Sequence, residues 1–401
     1  MSRDYDIVLF GATGFTGALT AIAIAESDEV KGGLRFAIAG RNRAKLEAVA
    51  LTCGNPAIEV VDATDDVALR ALAERSVMIV TTVGPYLRHG LPLTKACAAA
   101  GTHYADLTGE APFIRRSIDA NHVVAAKTGA RITHCCGFDS IPSDLGAFQL
   151  QSAAIADGGA CDVVRYTMMA ASGGVSGGTA HSLLEIMEAA SSDPGARRAL
   201  QDPYSLVPDG VRGPDRGEGF GVRFDDDVDG WVGPFFMGPI NTRVVRRSNH
   251  LLGQRYGNAF SYREQMRTGH GVTGYLGARG LQLGLGAMMG VAATSPGRAL
   301  LDKVMPAAGT GPDEKSRETG FFTAHLHGHR SSDGAHFKSV VKGFKDPGYG
   351  GTAIMLAQSA LCLATDTLDS AGGVTTPAAA MGEHLLRRLQ RARMEFSVQR
   401  V

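Results

Sequence analysis

The sequence predicts an α/β protein: an N-terminal doubly wound parallel sheet, an inserted α+β domain, and C-terminal helices returning to the first sheet. Three observations predict it. Residues 6–17 read DIVLFGATGFTG, an apolar run meeting a glycine turn. Short apolar runs then alternate with helical stretches as far as residue 150. Beyond it the texture changes to a long apolar strand, glycine-rich turns and a hairpin, before helical patterns close the chain. The expected divisions are 1–150, 151–345 for substrate binding and dimerisation, and 346–401.

With 401 residues the chain has length for a large core. Lysine plus arginine equals aspartate plus glutamate at 40 each, so nothing electrostatic points to nucleic acid. The 52 glycines are dispersed, without a repeat. Cys53, Cys97, Cys135, Cys136, Cys161 and Cys362 form no Cys-x-x-Cys pair, and buried free thiols in a reducing cytoplasm are expected. Asp4 and Asp6 lead straight into the first strand, unlike a signal peptide.

Ile7 to Phe10 reads as a buried parallel strand, and an apolar helical pattern runs from Ala18 to Ala25. Between them stand Gly11, Ala12, Thr13, Gly14, Phe15, Thr16 and Gly17. The first glycine permits the sharp turn, the second lets backbone approach a pyrophosphate, and the third lets helix pack on strand. Free amides at the helix start then face the anion. This is the phosphate cradle of a Rossmann dinucleotide-binding unit, here spaced Gly-x-x-Gly-x-x-Gly.

The second strand, Leu34 to Ala39, ends in Gly40-Arg41-Asn42-Arg43. An acid at that tip would bind the ribose of NAD, whereas arginine pairs with the 2′-phosphate of NADP. Arg41 and Arg43 therefore favour NADPH, unless both simply begin the next helix. After the third strand, Ile58 to Val61, Asp62 stands either near the adenine or as a cap for the following helix. The fourth strand, Val77 to Thr82, leads into Thr82, Val83, Gly84, Pro85 and Tyr86 at the switch point where nicotinamide and substrate usually meet.

Helix Leu91 to Ala100 precedes His103-Tyr104-Ala105-Asp106-Leu107-Thr108-Gly109-Glu110, dense in ionisable groups. Helix Ala111 to Ala126 and strand Arg131 to Cys135 lead to Cys136-Gly137-Phe138-Asp139-Ser140-Ile141-Pro142-Ser143-Asp144. There Ser140 and Ser143 are expected caps, and capping is favoured over catalysis for Asp139 and Asp144.

In the inserted part, Val163 to Ala171 reads as strand, Thr179 to Ala190 as helix, and 202–230 as a long loop. Residues 275–294 are apolar and glycine-rich but broken by Arg279 and Gln282, too short a clean run for the ~20 residues of a spanning helix. They suit a membrane-surface contact, a wall around an acyl chain, or a core helix loosened by glycine. Phe321 to Arg330 and His336 to Phe344 read as a hairpin around Ser331-Ser332-Asp333-Gly334. His325, His327 and His329 share one strand face, ~7 Å apart. With no fourth ligand evident in sequence, they read as a solvated face and not as a metal site. Helices Thr352 to Ala364 and Pro377 to Arg393 complete the chain.

On DIVLFGATGFTG, AGR at 39–41, TTVGPY at 81–86, YADLTGE at 104–110, CGFDSIPSDL at 136–145, NTRVVRRSN at 241–249 and VTTPAAAMG at 374–382, the chain resembles the saccharopine dehydrogenase-like oxidoreductases. Within them it is most similar to the trans-acting enoyl reductases. The resemblance runs nearly end to end and implies NADPH-dependent reduction of an enoyl thioester tethered to a polyketide synthase or carrier protein, in lipid assembly of the phthiocerol type. A cytoplasmic enzyme, peripheral at the inner membrane face, fits that setting.

Such a reduction delivers hydride to the β-carbon and a proton to the α-carbon, with charge building on the thioester oxygen between them. None of the nine tyrosines has lysine four residues on, so the short-chain reductase pair is absent. The candidates are Tyr86 or Tyr104 as donor to the oxygen, with Asp106 or Glu110 as orienter; Asp139 and Ser140 stand second. Two alternatives remain: a saccharopine-type C–N reductase with Arg243, Arg246 and Arg247 as carboxylate clamps, and a non-catalytic NADPH-binding or lipid-surface protein.

Overall fold

Two seven-stranded sheets organise the chain in the computed structural model, which describes residues 3–173, 177–217, 219–304, 311 and 313–401. The first contains β1 (Tyr5–Phe10), β2 (Phe36–Gly40), β3 (Ala57–Val60), β4 (Ser76–Thr81), β5 (His103–Asp106) and β6 (Arg131–Thr133). Ile7 pairs with Phe36 on one side and Met78 on the other, both in parallel, which puts β1 at the centre. Val8, Leu9, Ile38, Ile79 and Val80 have no exposed surface. These strands are buried on both faces, which is why they read as continuous apolar runs and not as alternation.

The second sheet takes β7 (Val163–Ser172), β8 (Arg223–Asp225), β9 (Gly230–Pro234), β10 (Ser261–Gly269), β11 (Phe321–Arg330) and β12 (Ala335–Gly343). Two late strands, β13 (Gly373–Thr375) and β14 (Glu395–Arg400), then divide between the sheets. The orders are β13-β6-β5-β4-β1-β2-β3 and β14-β12-β11-β7-β10-β9-β8. The first reverses direction between β1 and β4, so a crevice opens beyond the carboxyl ends of those two strands. In the second sheet β7 and β10 run parallel and the other pairs antiparallel.

Helix Thr352–Thr365 packs on helix Phe15–Ala25 and on β4 and β5. The helix expected from 377 to 393 is broken at Met381 into Pro377–Ala380 and Gly382–Arg391. Arg388 anchors the second piece, pairing with Glu29 at 2.7 Å and Asp366 at 2.5 Å. The strand that follows it, β14, pairs with β12 and ends the chain on the second sheet.

Helix Gly271–Ala292 is not a core helix. Gly274, Ala278 and Ala292 are its buried residues, while Val272, Leu276 and Leu283 are 74%, 60% and 70% exposed. Among the described residues no helix is long and apolar enough to cross a membrane. All six cysteines are buried free thiols.

Candidate functional site

The glycine turn lies at the carboxyl end of β1, and its shape demands glycine. Gly11 has φ +96°, and a Cβ there would meet Val83 Cγ2 at 2.7 Å and Thr82 Oγ1 at 2.9 Å. At Gly17 a Cβ would fall 2.2 Å from the Gly11 carbonyl oxygen. Thr82 Oγ1 donates to that same oxygen at 3.0 Å, so the two strand ends are tied directly. Ala12 is buried beneath the turn, while Thr13 and Gly14 face outward. The first-turn amides from Phe15 to Gly17 have no intrahelical acceptors and are the natural seat of a diphosphate. A cradle that a Cβ would fill, backed by a helix N-terminus, fits a dinucleotide. Phe15 is not free to stack on a ligand ring, because it packs edge-on against Tyr349 at 4.8 Å with the Arg317 guanidinium 5.3 Å away.

At the β2 tip the two arginines separate. Arg43 begins helix Arg43–Ala50, which Asn42 caps through the Lys45 amide, whereas Arg41 stands exposed in the turn ahead of it. Asp62 accepts from both the amide (2.9 Å) and the hydroxyl (2.7 Å) of Thr64. These bonds, with the Arg41 charge, hold its carboxyl below the usual range. The cap of the next helix is Asp65.

The residues after β4 and β5 form a buried polar floor. Glu110 accepts from the amides of Tyr86 (3.0 Å) and Leu87 (2.7 Å) and from Ser182 Oγ (2.9 Å). Burial outweighs these donors and raises its pKa. The Tyr86 hydroxyl donates to the Thr81 carbonyl at 3.1 Å, and its ring stacks on Phe113. Burial, followed by the charges of Asp106, Glu110 and Asp139, pushes that phenol well above its ordinary pKa. Tyr104 is fully buried and donates to Asp106 Oδ2 at 2.9 Å. Asp106 also meets His134 Nδ1 at 2.7 Å and accepts from the Cys135 amide at 3.1 Å, and His134 Nε2 contacts Ser117 Oγ at 2.9 Å. Tyr86, Tyr104, Asp106 and Glu110 are thus brought together, but both hydroxyls are spent on acceptors inside the protein.

Asp139 is different. It stands in the turn between β6 and helix Ile141–Ala156, where the sheets meet: Phe138 N donates to Thr352 Oγ1 at 3.1 Å, the Phe138 ring meets Phe322 at 4.8 Å, and Ser140 Oγ donates to Asn241 Oδ1 at 3.0 Å. Ser140 therefore ties the turn to the second layer and makes no side-chain cap, and Asp144 accepts from Ser248 Oγ and the Ala378 amide. Among the described residues the Asp139 carboxylate has no hydrogen-bond partner, so the expected cap is absent. The residue keeps part of its surface accessible, yet burial pushes its carboxyl up to about 7. Its charge reaches both Tyr86 and Cys135. Cys135 has φ +64°, a strained conformation for a non-glycine residue, and sequence reasoning passed it over. The adjoining His-Cys-Cys before Gly-Phe-Asp was the available signal.

The three arginines proposed as clamps face inward. Arg243 donates to the carbonyls of Ala199, Leu200 and Asp202, Arg246 pairs with Asp215 at 2.9 Å, and Arg247 donates to Leu206 and Val374. They staple residues 199–215 to the helix Gly238–Leu251.

Fold and cradle together define an NADP-binding oxidoreductase. Residues 7–132 match the saccharopine dehydrogenase NADP-binding domain. A protein of Mycobacterium tuberculosis (strain ATCC 25618 / H37Rv), provisionally named a trans-acting enoyl reductase, is 44% identical over 418 residues, 100% of this chain and 98% of its own. The trans-acting enoyl reductase of Mycobacterium ulcerans (strain Agy99) is 41% identical, across 100% of this chain and 99% of its own. The apo saccharopine dehydrogenase (L-Glu forming) of Saccharomyces cerevisiae shares the fold, with a TM-score of 0.56 at 13% identity over 98% of this chain and 99% of that one. The chain belongs to the saccharopine dehydrogenase-like oxidoreductases, and its full-length relatives there include mycobacterial trans-acting enoyl reductases.

Proposed function

We propose that the protein reduces the carbon–carbon double bond of an enoyl thioester carried on a polyketide synthase or acyl carrier protein, during assembly of a phthiocerol-type lipid. Full-length identity to trans-acting enoyl reductases carries this reading. The inward-turned arginines support it against a C–N reductase, since the side chains that would hold a dicarboxylate are occupied with backbone carbonyls and, at Arg246, with Asp215.

NADPH, when bound, supplies the hydride. The glycine turn, Gly11 to Gly17, would hold its diphosphate, Arg41 its 2′-phosphate, and Thr82, Val83 and Gly84 would line its path to the switch point. Asp139 holds a proton near neutral pH at the junction of the two sheets, and we assign it the proton delivered to the α-carbon. The floor of Tyr86, Tyr104, Asp106 and Glu110 acts through position: it fixes the strand ends from which the site is built. The exposed face of helix Gly271–Ala292, with Arg279 on it and Arg298 and Lys303 close behind, supports a seat at an anionic membrane surface beside the acyl substrate.

The test is NADPH oxidation with an enoyl-acyl carrier substrate beside a saccharopine control. Turnover with the first alone is expected. Turnover with saccharopine alone would overturn the reading, and turnover with neither would leave only the coenzyme-binding part standing.

A further inference from the structure

The hairpin β11–β12 places His329 directly opposite His336 in register. Their imidazoles stack, with centroids 4.2 Å apart and planes 14° from parallel. The short turn Asp226–Val228, between β8 and β9, brings Asp227 over the same face. Its Oδ2 lies 2.9 Å from His329 Nε2 and its Oδ1 3.8 Å from His336 Nε2. One ligating atom from each of the three residues lies within 4.8 Å of the others. The face is solvated in part: His327 is 4% exposed, while His325 and His329 are half-buried.

We infer that Asp227, His329 and His336 form a binding site for a divalent first-row transition-metal ion of the zinc class, unconnected with the coenzyme cradle. Two imidazoles and a carboxylate suit such an ion in charge and softness. Bonds of ~2.0–2.2 Å to a common centre require ligand atoms roughly 3–4 Å apart; the Asp227 oxygens already lie 2.9 and 3.8 Å from the two imidazole nitrogens, and the stacked rings must turn out of parallel to aim both nitrogens at one ion. A fourth group stands beside them. His327 Nδ1 lies 3.1 Å from His336 Nε2, while its Nε2 is buried and has no hydrogen-bond partner among the described residues.

Arg165 is the competitor. Its Nη1 sits 2.8 Å from Asp227 Oδ2, and its side chain is 36% exposed, so it has room to swing out. An occupied site would clip the turn of residues 226–228 to the hairpin, and with it the long irregular segment that precedes β8.

The experiment is calorimetric titration of the whole chain with Zn2+, with Co2+ absorption as a second readout and NADPH binding as the check on folding. One Zn2+ per chain is expected. Affinity should fall at least about tenfold in His336→Ala and Asp227→Asn, rise in Arg165→Met, and the Co2+ ligand-field band should vanish in His336→Ala. If one variant fails to bind NADPH, His329→Gln replaces it. No Zn2+ heat, or equal affinity in the native chain and a folded ligand variant, would overturn the site and leave Asp227 as an ion-pair partner of Arg165 and His329.

Discussion

Glu110 caps the helix that Tyr86 begins, taking the Tyr86 and Leu87 amides on its two carboxylate oxygens at 3.0 and 2.7 Å. The cap comes from 24 residues away, across the β4–β5 crossover, so it locks two strand ends together as well as closing a helix. Its third contact, Ser182 Oγ, reaches helix Gly177–Ser192. Glu110→Ala would leave two buried amides unpaired and is expected to cost roughly 2–4 kcal/mol, with Glu110→Gln retaining about half. Denaturant unfolding in the absence of coenzyme measures both. Equal stability of Glu110→Ala and native protein would show that water replaces the carboxylate.

Asp139 gives a pH prediction whose sign follows from its raised pKa. If the protonated carboxyl is the acid, single-turnover reduction holds below about pH 7 and falls above it as the proton is lost. Asp139→Asn should lower the rate by roughly 10²–10⁴-fold and remove that limb. The same shift acts on stability. The folded state binds this proton more tightly than the unfolded chain, so stability declines as pH rises from the ordinary 3.8 towards about 7. Asp144 is also raised to about 7, so Asp139→Asn should weaken the slope but not abolish it. An unchanged pH limb in the variant would remove Asp139 from proton transfer.

Arg41 and Arg43 looked alike in sequence but differ in the fold. Arg43 is a first-turn helix residue, whereas Arg41 stands free at the strand tip near Asp62. Arg41→Ala is expected to weaken NADPH binding by about 1.5–3 kcal/mol, the worth of a hydrogen bond to a charged group, with little change for NADH. Calorimetry with both coenzymes checks it. A matching loss for NADH would place Arg41 away from the 2′-phosphate.

These differences show what sequence could reveal. The glycine turn was legible because its constraints are local: φ at Gly11 and the close approach at Gly17 restrict the residue type itself. The first sheet was legible because its strands are apolar throughout. β10 was not, since SYREQMRTG alternates without an apolar face; its inward residues include Glu264, which accepts from Tyr262 Oη at 2.8 Å and Asn241 Nδ2 at 2.8 Å. The direction of the Tyr86 hydroxyl depends on Phe113 and on the Thr81 carbonyl, contacts that no spacing encodes. Likewise the cluster of Asp227, His329 and His336 joins a hairpin to a turn about a hundred residues earlier, a meeting that the spacing of His325, His327 and His329 does not encode.

Helix Gly271–Ala292 supplies the last test. Seven glycines weaken a helix that has little buried surface, by roughly 1 kcal/mol each relative to alanine. It meets the second sheet near its start, where Tyr275 lies edge-on to Trp231 at 4.8 Å and Ala278 packs over Gly233, and Ala292 is buried at its far end. Between these contacts Leu283 and Met289 point outward, with Gln282 bonded to the Phe220 carbonyl. A surface that takes up these side chains would stabilise the helix and gain ~25 cal/mol for each Å² of apolar area it covers. Leu276→Glu with Leu283→Glu should therefore abolish flotation with anionic vesicles while leaving NADPH affinity intact, because both side chains are exposed on a helix that packs on β9 and β10. Arg279→Glu should weaken flotation further at low salt than at high salt, as expected for attraction screened over a Debye length. If the native chain fails to float with anionic vesicles at low salt, the membrane seat is excluded and the apolar face must be covered by protein.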